Sequence, residues 1–175
     1  MTAAVILAAG ASSRFGSPKQ DVLLAPVLRR VRASSVDEIV VVQGAHELDV
    51  DARTVRCPQW ERGPGASLRC GLASLGRKIE AAVVVLADGP DLSPLAIDRV
   101  IAAWRRSESD VVAASYGGAR GHPVLLGRSA WAAVPEEGAR ALEPFLVPCD
   151  DLGAPGDVDT PADLPGRFRR AEAER

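Results

Sequence analysis

Cysteine is scarce in this sequence, and a long apolar run is absent. Cys57, Cys70 and Cys149 are the only cysteines in 175 residues, and they contain no C-x-x-C spacing. An odd number of widely spaced cysteines argues against a structural zinc site and against a disulfide framework, so we expect reduced thiols. The short apolar run near the amino terminus has no basic segment before it, and no run reaches the length of a membrane span. We therefore expect a cytoplasmic protein that does not enter a membrane.

The chain also has little net charge and few aromatic side chains. The formal net charge is −2, which lacks the basic excess that nucleic-acid binding requires. Aromatic residues make up only 4% of the chain, whereas 47% of it is hydrophobic, and Ala, Val and Leu suit a sheet covered by helices of small residues. Without a repeat, a low-complexity tract or a linker, we expect one domain over residues 1–175, with residues 166–175 as a frayed tail.

Apolar runs typical of strands recur along the chain and alternate with helical patterns. The runs are residues 5–7, 39–42, 82–86 and 110–115. This alternation predicts a largely parallel α/β sheet. Residues 83–86 show no polar alternation, which predicts a central strand buried on both faces. Gly117-Gly118 precedes a further apolar run at residues 123–126, so we expect a reversal that adds one antiparallel strand.

Two amphipathic helices are predicted most clearly. Residues 94–106 follow Ser93 as a cap, with Pro94 in the first helical position. Residues 67–77 would begin at Ser67, and the glycine-rich residues 63–65 before them would leave free N–H groups for an anion. Residues 138–145 are predicted as a short helix.

A bend of small residues connects the first strand to two cations. It supplies glycines without side chains to obstruct a ligand, hydroxyl donors and positive charge: Gly10, Ser12, Ser13, Arg14, Gly16 and Lys19. Successive N–H groups with cations nearby form a receptor for a polyphosphate. Neither a Walker loop nor G-x-G-x-x-G is present. The alternative interpretation is a tight strand-to-helix turn with two solvated cations.

Asp88 ends the predicted central strand and is followed by Gly89-Pro90, which forces a turn. Ligands of α/β sheets bind at the carboxyl ends of strands, so Asp88 would face the same crevice as the bend. Magnesium uses one or two protein carboxylates together with phosphate oxygens and water. Asp88 therefore suits a magnesium ligand, and the alternative is an Asx-type cap of the turn.

A second acidic cluster contains Asp157 and Asp159, whose alternate positions would place both carboxylates on one side of an extended segment. The alternative is a helix start, in which Thr160 is the cap and Asp163 lies in the first turn. His122, in Gly121-His122-Pro123, is a candidate hydrogen-bonding group for a substrate or an ordinary structural histidine. The sequence contains no defensible Ser/His/Asp or Cys/His arrangement, so nucleophilic catalysis by the protein is not indicated.

Together, these stretches resemble the nucleotidyltransferases of molybdenum cofactor biosynthesis, the MobA-like NTP transferases, and most closely their cytidylyltransferase branch. The matching segments are LAAGASSRFGSPKQ at 7–20, WERGPGASLRCGL at 60–72, ADGP at 87–90, GHPVL at 121–125 and DVDTPADL at 157–164. The resemblance implies a single-domain, three-layer, Rossmann-like nucleotidyltransferase fold. It also implies CTP and Mg²⁺ as nucleotide substrate and metal, and molybdopterin or molybdenum cofactor as the phosphate acceptor.

The resemblance assigns roles to individual residues. Lys19, Arg14 and Asp88 would be catalytic, with Lys19 acting near the α-phosphate. Backbone and small side chains would bind the nucleotide: Leu7, Ala8, Ala9, Gly10, Ser12, Ser13 and Gly16. Acceptor contacts are expected from Ser67, Leu68, Arg69 and His122, and metal ligands from Asp88, Asp159 and Asp157. Related guanylyltransferases tend to carry LAGG at this point, so Ala9 favours CTP over GTP.

The sequence differs from the family pattern in two places. After Lys19 the family continues through a short strand and a glycine turn, whereas here residues 21–26 run almost directly into a helix at 27–33. Gly89 also replaces a common Gln. The alternative functions are a noncatalytic protein that binds the cofactor and delivers it to a molybdenum enzyme, and a transferase that uses GTP or a sugar phosphate.

Overall fold

One mixed sheet organises the part of the chain that the computed structural model describes, residues 1–11 and 19–168 without the side chain of Asp21. Its strands are β1 (Thr2–Leu7), β2 (Glu38–Gln43), β3 (Arg53–Arg56), β4 (Ala81–Leu86), β5 (Val111–Tyr116), β6 (Ala119–Gly127) and β7 (Phe145–Pro148). The helices are α1 (Gln20–Arg32), α2 (Pro64–Ala73) and α3 (Pro94–Arg106). None of these helices is long and apolar enough to span a bilayer.

The strand order is β3-β2-β1-β4-β6-β5-β7, and only β6 runs antiparallel to its neighbours. The predicted mostly parallel sheet with one antiparallel strand is therefore confirmed. The predicted central strand, β4, occupies the fourth of seven positions. The chain moves from β1 towards β3 and then returns to place β4 on the other side of β1. The strand order thus reverses between β1 and β4, which is where α/β sheets bind their ligands.

Helices cover both faces of the sheet and give three layers. On one face, apolar residues of α1 and α3, including Val27 and Ile101, pack against the strand residues Ile6 and Val83. On the other face, Leu68 of α2 joins a separate core with neighbouring strand residues. This arrangement follows from the period of two in β1, where alternate side chains enter opposite layers.

The amphipathic pattern located α3 correctly, from Pro94 to Arg106. Pro94 occupies its first position as predicted, but the Ser93 side chain forms no capping hydrogen bond. The hairpin between β5 and β6 is also confirmed. Gly117 and Gly118 both have positive φ angles, 59° and 77°, as a two-residue turn between antiparallel strands requires.

The prediction for α2 was wrong at both ends, because α2 begins at Pro64 and ends at Ala73. The glycine-rich segment is the first turn of the helix, not a loop before it. The Gly65 N–H donates to the carbonyl of Glu136 at 2.9 Å, so it is not free for an anion. A Cβ at Gly65 would lie 1.8 Å from the Pro135 oxygen, and only glycine fits this close approach.

Other predictions require correction. α1 is one continuous helix that contains Pro26, instead of beginning at residue 27. The helix expected at residues 138–145 is only the 3₁₀ turn Ala139–Ala141, because residue 145 already pairs with β5 as part of β7. Cys57 and Cys70 form a disulfide with a Cα–Cα distance of 5.7 Å, contrary to the expected reduced thiols. The packing of α2 beside the end of β3 brings together two residues that the sequence separates by 13 positions.

Candidate active site

Two parallel strands end side by side at the point where the strand order reverses. Leu7, the last residue of β1, pairs in register with Leu86, the last residue of β4. Just beyond, the N–H of Ala87 donates to the Leu7 carbonyl at 3.1 Å. The glycine bend and the Asp88 turn therefore leave the sheet next to each other, as the sequence predicted.

The Lys19 ammonium connects these two segments and a third. Its Nζ lies 2.7 Å from Oδ2 of Asp88, 2.8 Å from the carbonyl oxygen of Val158 and 3.7 Å from Oδ1 of Asp159. The Lys19 and Asp88 side chains are only 15% and 23% exposed, so the pair is shielded from water on most sides. The structure thus brings together three predicted site residues that are up to 140 positions apart in the sequence.

The oxygen atoms around Lys19 already coordinate a cation, since the ammonium occupies the position between them. Two carboxylates and a carbonyl are hard ligands of the kind that magnesium and manganese prefer. Within residues 1–11 and 19–168, no cluster of three or more His, Cys, Asp and Glu side chains forms a complete metal site. An ion at Asp88 and Asp159 would therefore take further ligands from substrate phosphates and water, as magnesium commonly does.

A short segment that runs alongside the Asp88 turn holds Asp159 in place. The Val158 N–H donates to the Asp88 carbonyl at 3.2 Å, and the Asp91 N–H donates to the Pro155 carbonyl at 2.9 Å. The Val158 side chain is buried with Leu23 and Leu164. We call residues 154–158 the strap.

The helix-start interpretation of the same motif holds just beyond the strap. The Thr160 N–H and hydroxyl both donate to Oδ2 of Asp163, at 2.8 and 2.7 Å. These bonds start the 3₁₀ turn Pro161–Asp163. The two interpretations of the acidic motif therefore apply to different residues, because Asp159 contacts Lys19 while Asp163 caps a turn.

Gln20 supports the backbone at the start of the glycine bend, a contact that the sequence did not reveal. Its side chain is buried, and Nε2 donates to the Gly10 carbonyl at 2.9 Å and towards the Ala8 carbonyl at 3.4 Å. The amide thereby fixes the start of the glycine bend from the first residue of α1. Only its position next to Lys19 hinted at this role, since a buried glutamine looks like an exposed one in a sequence.

The remaining predicted nucleotide contacts lie at the start of the bend or outside the described residues. Ser12, Ser13, Arg14 and Gly16 lie outside the described residues. At the start of the bend, the Ala8 N–H donates to the Val42 carbonyl and the Ala9 carbonyl accepts from the Ala45 N–H. These bonds extend the sheet pairing past β1. Gly10 is exposed, and a Cβ built on it would meet no atom of the described residues within 4 Å.

His122 lines a cavity on the other flank of the Asp88 turn. Its Nδ1 lies 3.4 Å from the carbonyl oxygen of Val84, and burial lowers the pKa of its imidazole. Nearby, the Tyr116 hydroxyl donates to the His122 carbonyl at 2.9 Å. Burial raises the pKa of Tyr116 to about 12. Both rings are therefore uncharged at neutral pH.

The structure separates His122 from the other predicted acceptor residues. Ser67 and Leu68 are buried within α2, and Leu68 belongs to the core beneath it. Arg69 donates to the Val134 carbonyl at 2.8 Å and pairs with Glu136 at 3.1 Å. None of these three residues lines the cavity that contains His122. The four acceptor contacts therefore stay a prediction.

The sequence profile of the MobA-like NTP transferase domain matches residues 4–147 of the chain. This range includes β1, Lys19, the Asp88 turn and His122, and it ends just before the strap. No curated protein matches the chain in sequence.

Solved structures of similar proteins share the fold over nearly the whole chain. Rv0371c of Mycobacterium tuberculosis H37Rv has 25% identity over 99% of this chain and 98% of its own, with a TM-score of 0.75. A complex of Rv0371c with manganese has 23% identity, a TM-score of 0.69 and coverage of 97% and 96%. Molybdopterin-guanine dinucleotide biosynthesis protein A of Archaeoglobus fulgidus has 17% identity over 100% of both chains and a TM-score of 0.66.

A CMP:2-keto-3-deoxy-manno-octonic acid synthetase in complex with CTP is a more distant neighbour in sequence. It has 13% identity over 99% of both chains and a TM-score of 0.70. Below 25% identity, such likeness supports the fold alone. The neighbours therefore support the three-layer fold described above. They do not identify the substrate of this chain.

Proposed function

Because the chain belongs to the family of MobA-like NTP transferase domains, we propose that it transfers CMP from CTP to the phosphate of molybdopterin or molybdenum cofactor. Pyrophosphate is the second product. The observation that carries this proposal is the convergence of Lys19, Asp88 and Asp159 at the carboxyl ends of β1 and β4. Nucleotidyltransferase membership is established, whereas CTP and the acceptor are the proposed part.

Asp88 and Asp159 are the proposed protein ligands of Mg²⁺, for which Mn²⁺ would substitute. Asp159 is favoured over Asp157 because Asp159 lies beside the same ammonium as Asp88, while Asp157 lines the neighbouring cavity. When bound, the ion would neutralise phosphate charge and orient the triphosphate. The manganese complex of Rv0371c is in keeping with a divalent ion in this fold.

The reaction needs no nucleophile from the protein. An oxygen of the acceptor phosphate attacks the α-phosphorus of CTP, and the bond from that phosphorus to the bridging oxygen of the β-phosphate breaks. The electron pair leaves with pyrophosphate. Positioning and fixed positive charge account for the catalysis of such transfers.

Lys19 is proposed to supply that fixed charge. Its ammonium contacts Asp88 and the Val158 carbonyl, next to the proposed position of the triphosphate. Negative charge on the α-phosphoryl oxygens is stabilised by this cation as the leaving group departs. Arg14 and the N–H and hydroxyl groups of Gly10, Ser12, Ser13 and Gly16 are the proposed partners of the remaining phosphates.

CTP is proposed as the nucleotide because the LAAG sequence carries Ala9 where related guanylyltransferases tend to have glycine. GTP and sugar-phosphate acceptors are the competing substrates in the test.

A second candidate function is binding of the cofactor and its delivery to a molybdenum enzyme without catalysis. It is favoured by the start of α1 at Gln20, directly after Lys19, which omits the strand and turn expected at this point. Either function would include a transient contact with the molybdenum enzyme that receives the cofactor.

The test is an acceptor-dependent assay of pyrophosphate release with Mg²⁺. CTP and GTP are compared in parallel, each with molybdopterin and with a sugar phosphate. We expect release with CTP and molybdopterin. Tight binding of molybdopterin without release from either nucleotide would instead establish the delivery function.

A further inference from the structure

The disulfide between Cys57 and Cys70 joins the residue after β3 to the second turn of α2. Its two ends differ in exposure, because Cys57 is completely buried and Cys70 is partly exposed. A thiol in solution can therefore approach the bond only from the side of Cys70. Access of this kind decides which sulfur of a disulfide is attacked.

The surrounding fold does not depend on this bond. The Cys57 N–H donates to the Gln43 carbonyl at 2.8 Å, which extends the pairing of β2 and β3. On the other side, α2 lies close to the sheet, since a Cβ at Gly71 would be 2.6 Å from the side chain of Val5 and 2.8 Å from that of Val42. A chain of 175 residues also builds a core without cross-links. Both ends of the bond would therefore keep their places when it opens.

The segment that does depend on the bond is the cysteine loop, residues 58–63. None of its residues is buried, so little packing fixes its position. The ion pair of Arg62 with Glu136 is exposed on both sides, and such pairs contribute little. The disulfide lies at the start of this loop and removes much of its freedom. Opening the bond should therefore loosen the cysteine loop more than any other described segment.

The cysteine loop lies against the start of the glycine bend. A Cβ at Gly44 would be 2.6 Å from the Ala9 carbonyl oxygen and equally close to Cβ of Trp60, so these groups meet over a position that only glycine can occupy. The Ala9 carbonyl also accepts from the Ala45 N–H at 3.1 Å. A displacement of Trp60 would therefore reach the backbone that is proposed to contact the nucleotide.

We propose that the Cys57–Cys70 pair is a site of reversible thiol–disulfide exchange with a dithiol reductant. In the disulfide state, the cysteine loop is fixed against Ala9 and the nucleotide binds more tightly. In the dithiol state, part of the binding free energy is spent on ordering this loop. The inference rests on the proposed function, because it describes the regulation of the same nucleotide site.

The exchange proceeds in two displacements. A thiolate of the reductant attacks Sγ of Cys70, the bond between the two cysteines breaks, and its electron pair leaves on Sγ of Cys57, which takes up a proton. The second thiolate of the reductant then attacks its own sulfur in the mixed disulfide and releases Cys70, which is protonated in turn. Two electrons and two protons have passed from the dithiol to the pair, and the reductant has become a disulfide.

Cys149 takes no part in this exchange. It is buried in the core of the opposite face of the sheet, whereas Cys57 belongs to the core beneath α2. Burial also raises the pKa of its thiol, which lowers the fraction of reactive thiolate. The pair therefore cannot rearrange with the third cysteine of the folded chain.

The first test follows the exchange itself in the full chain. One sample is oxidised with oxidised glutathione and the other is reduced with dithiothreitol, and both are treated with iodoacetamide without denaturant. Mass spectrometry should show no adduct on the oxidised chain and one adduct, on Cys70, in the reduced chain. Amide hydrogen exchange of residues 59–62 should be faster after reduction, while the β5–β6 hairpin should exchange equally in both samples.

The second test measures nucleotide binding by calorimetry, with CTP and GTP in parallel. Reduction of the wild type should weaken binding by about three- to tenfold, and reoxidation should restore it. Cys70→Ser should bind like the reduced wild type and be insensitive to dithiothreitol. Cys149→Ala is the matched control and should keep the full response. Cys57→Ala serves if Cys70→Ser does not fold.

Several results would overturn the proposal. They are a disulfide that dithiothreitol does not open in the folded chain, and equal nucleotide affinities in the two states of the wild type. The pyrophosphate assay separates this inference from the proposed function. Affinity that follows the redox state, without pyrophosphate release, would retain the exchange site and reject the transferase. Pyrophosphate release with one KM for CTP in both states would retain the transferase and reject the regulation, and binding of neither nucleotide would overturn both.

Discussion

The two flanks of the Asp88 turn have opposite chemical character. On one flank, the carboxylates of Asp88 and Asp159 lie 2.7 and 3.7 Å from the Lys19 ammonium. On the other flank, the cavity beside Gly89 is mostly apolar and carries the uncharged rings of Tyr116 and His122. One turn of the chain thus separates a cluster of charged groups from a mostly apolar cavity.

Asp88→Asn should have the largest effect on this arrangement. An amide removes the negative charge that faces Lys19 and is a weaker ligand for Mg²⁺, so turnover should fall on the order of 10³-fold or more. The measurement is the rate of pyrophosphate release at saturating CTP, acceptor and Mg²⁺. Asp91→Asn is the control on the same turn, since Asp91 pairs with Arg167. Full activity of Asp88→Asn would remove Asp88 from the reaction.

Lys19→Met should lower turnover by about 10²–10³-fold and weaken CTP binding much less, because the ammonium interacts most strongly with the transition state. The same variant should bind Mn²⁺ about tenfold more tightly without nucleotide, since a competing positive charge is gone. Equilibrium titration of Mn²⁺ measures the second effect. Lys78→Met is the matched control, because Lys78 is an exposed lysine just before the amino end of β4. Weaker Mn²⁺ binding to Lys19→Met would contradict the assignment of these carboxylates to the ion.

Gln20→Leu should weaken nucleotide binding, because it changes the shape of the glycine bend. The substitution leaves the carbonyls of Ala8 and Gly10 without the amide that holds them, which costs about 1–3 kcal/mol of stability. CTP affinity should fall by up to about tenfold. Denaturant unfolding and calorimetry measure the two effects. The exposed Gln59 provides the control substitution Gln59→Leu, and a normal CTP affinity in Gln20→Leu would show that the amide does not shape the nucleotide site.

The smallest expected effect belongs to the apolar flank and depends on pH. Burial lowers the pKa of His122 in the folded chain, whereas an unfolded histidine titrates near about 6.5. As the pH falls below that value, the unfolded chain binds a proton that the folded chain resists, so the free energy of unfolding decreases. Above it, this contribution is constant. His122→Gln should remove part of the decrease between pH 7.5 and 5 in urea unfolding.

The contact between Lys19 and Asp88 was predictable because both residues follow neighbouring parallel strands. Apolar runs located those strands, and the Gly10 and Gly89 turns located their carboxyl ends. The start of α2 was not predictable in the same way, since Gly63-Pro64-Gly65 is typical of a loop. Its role as a first helical turn depends on the close approach of residues 135 and 136.

The edge strands and the cavity were also hidden in the sequence. β3 has the sequence RTVR, and its exposure at the sheet edge removes the apolar alternation that marks an interior strand. The cavity combines β4, a hairpin and the strap, which are distant in sequence and share no motif. Only the His122 motif pointed towards it. The cavity arises from the packing of separate elements, which local sequence patterns do not encode.

The central claim is that Asp88 and Asp159 hold the divalent ion at the same place where the triphosphate binds. Electron paramagnetic resonance of Mn²⁺, recorded with and without CTP, tests it most directly. We expect that CTP tightens Mn²⁺ binding to the wild type and to Asp91→Asn, and that Asp88→Asn and Asp159→Asn each lose this gain. If CTP tightened Mn²⁺ binding to Asp88→Asn and to Asp159→Asn as much as to the wild type, the claim would be contradicted.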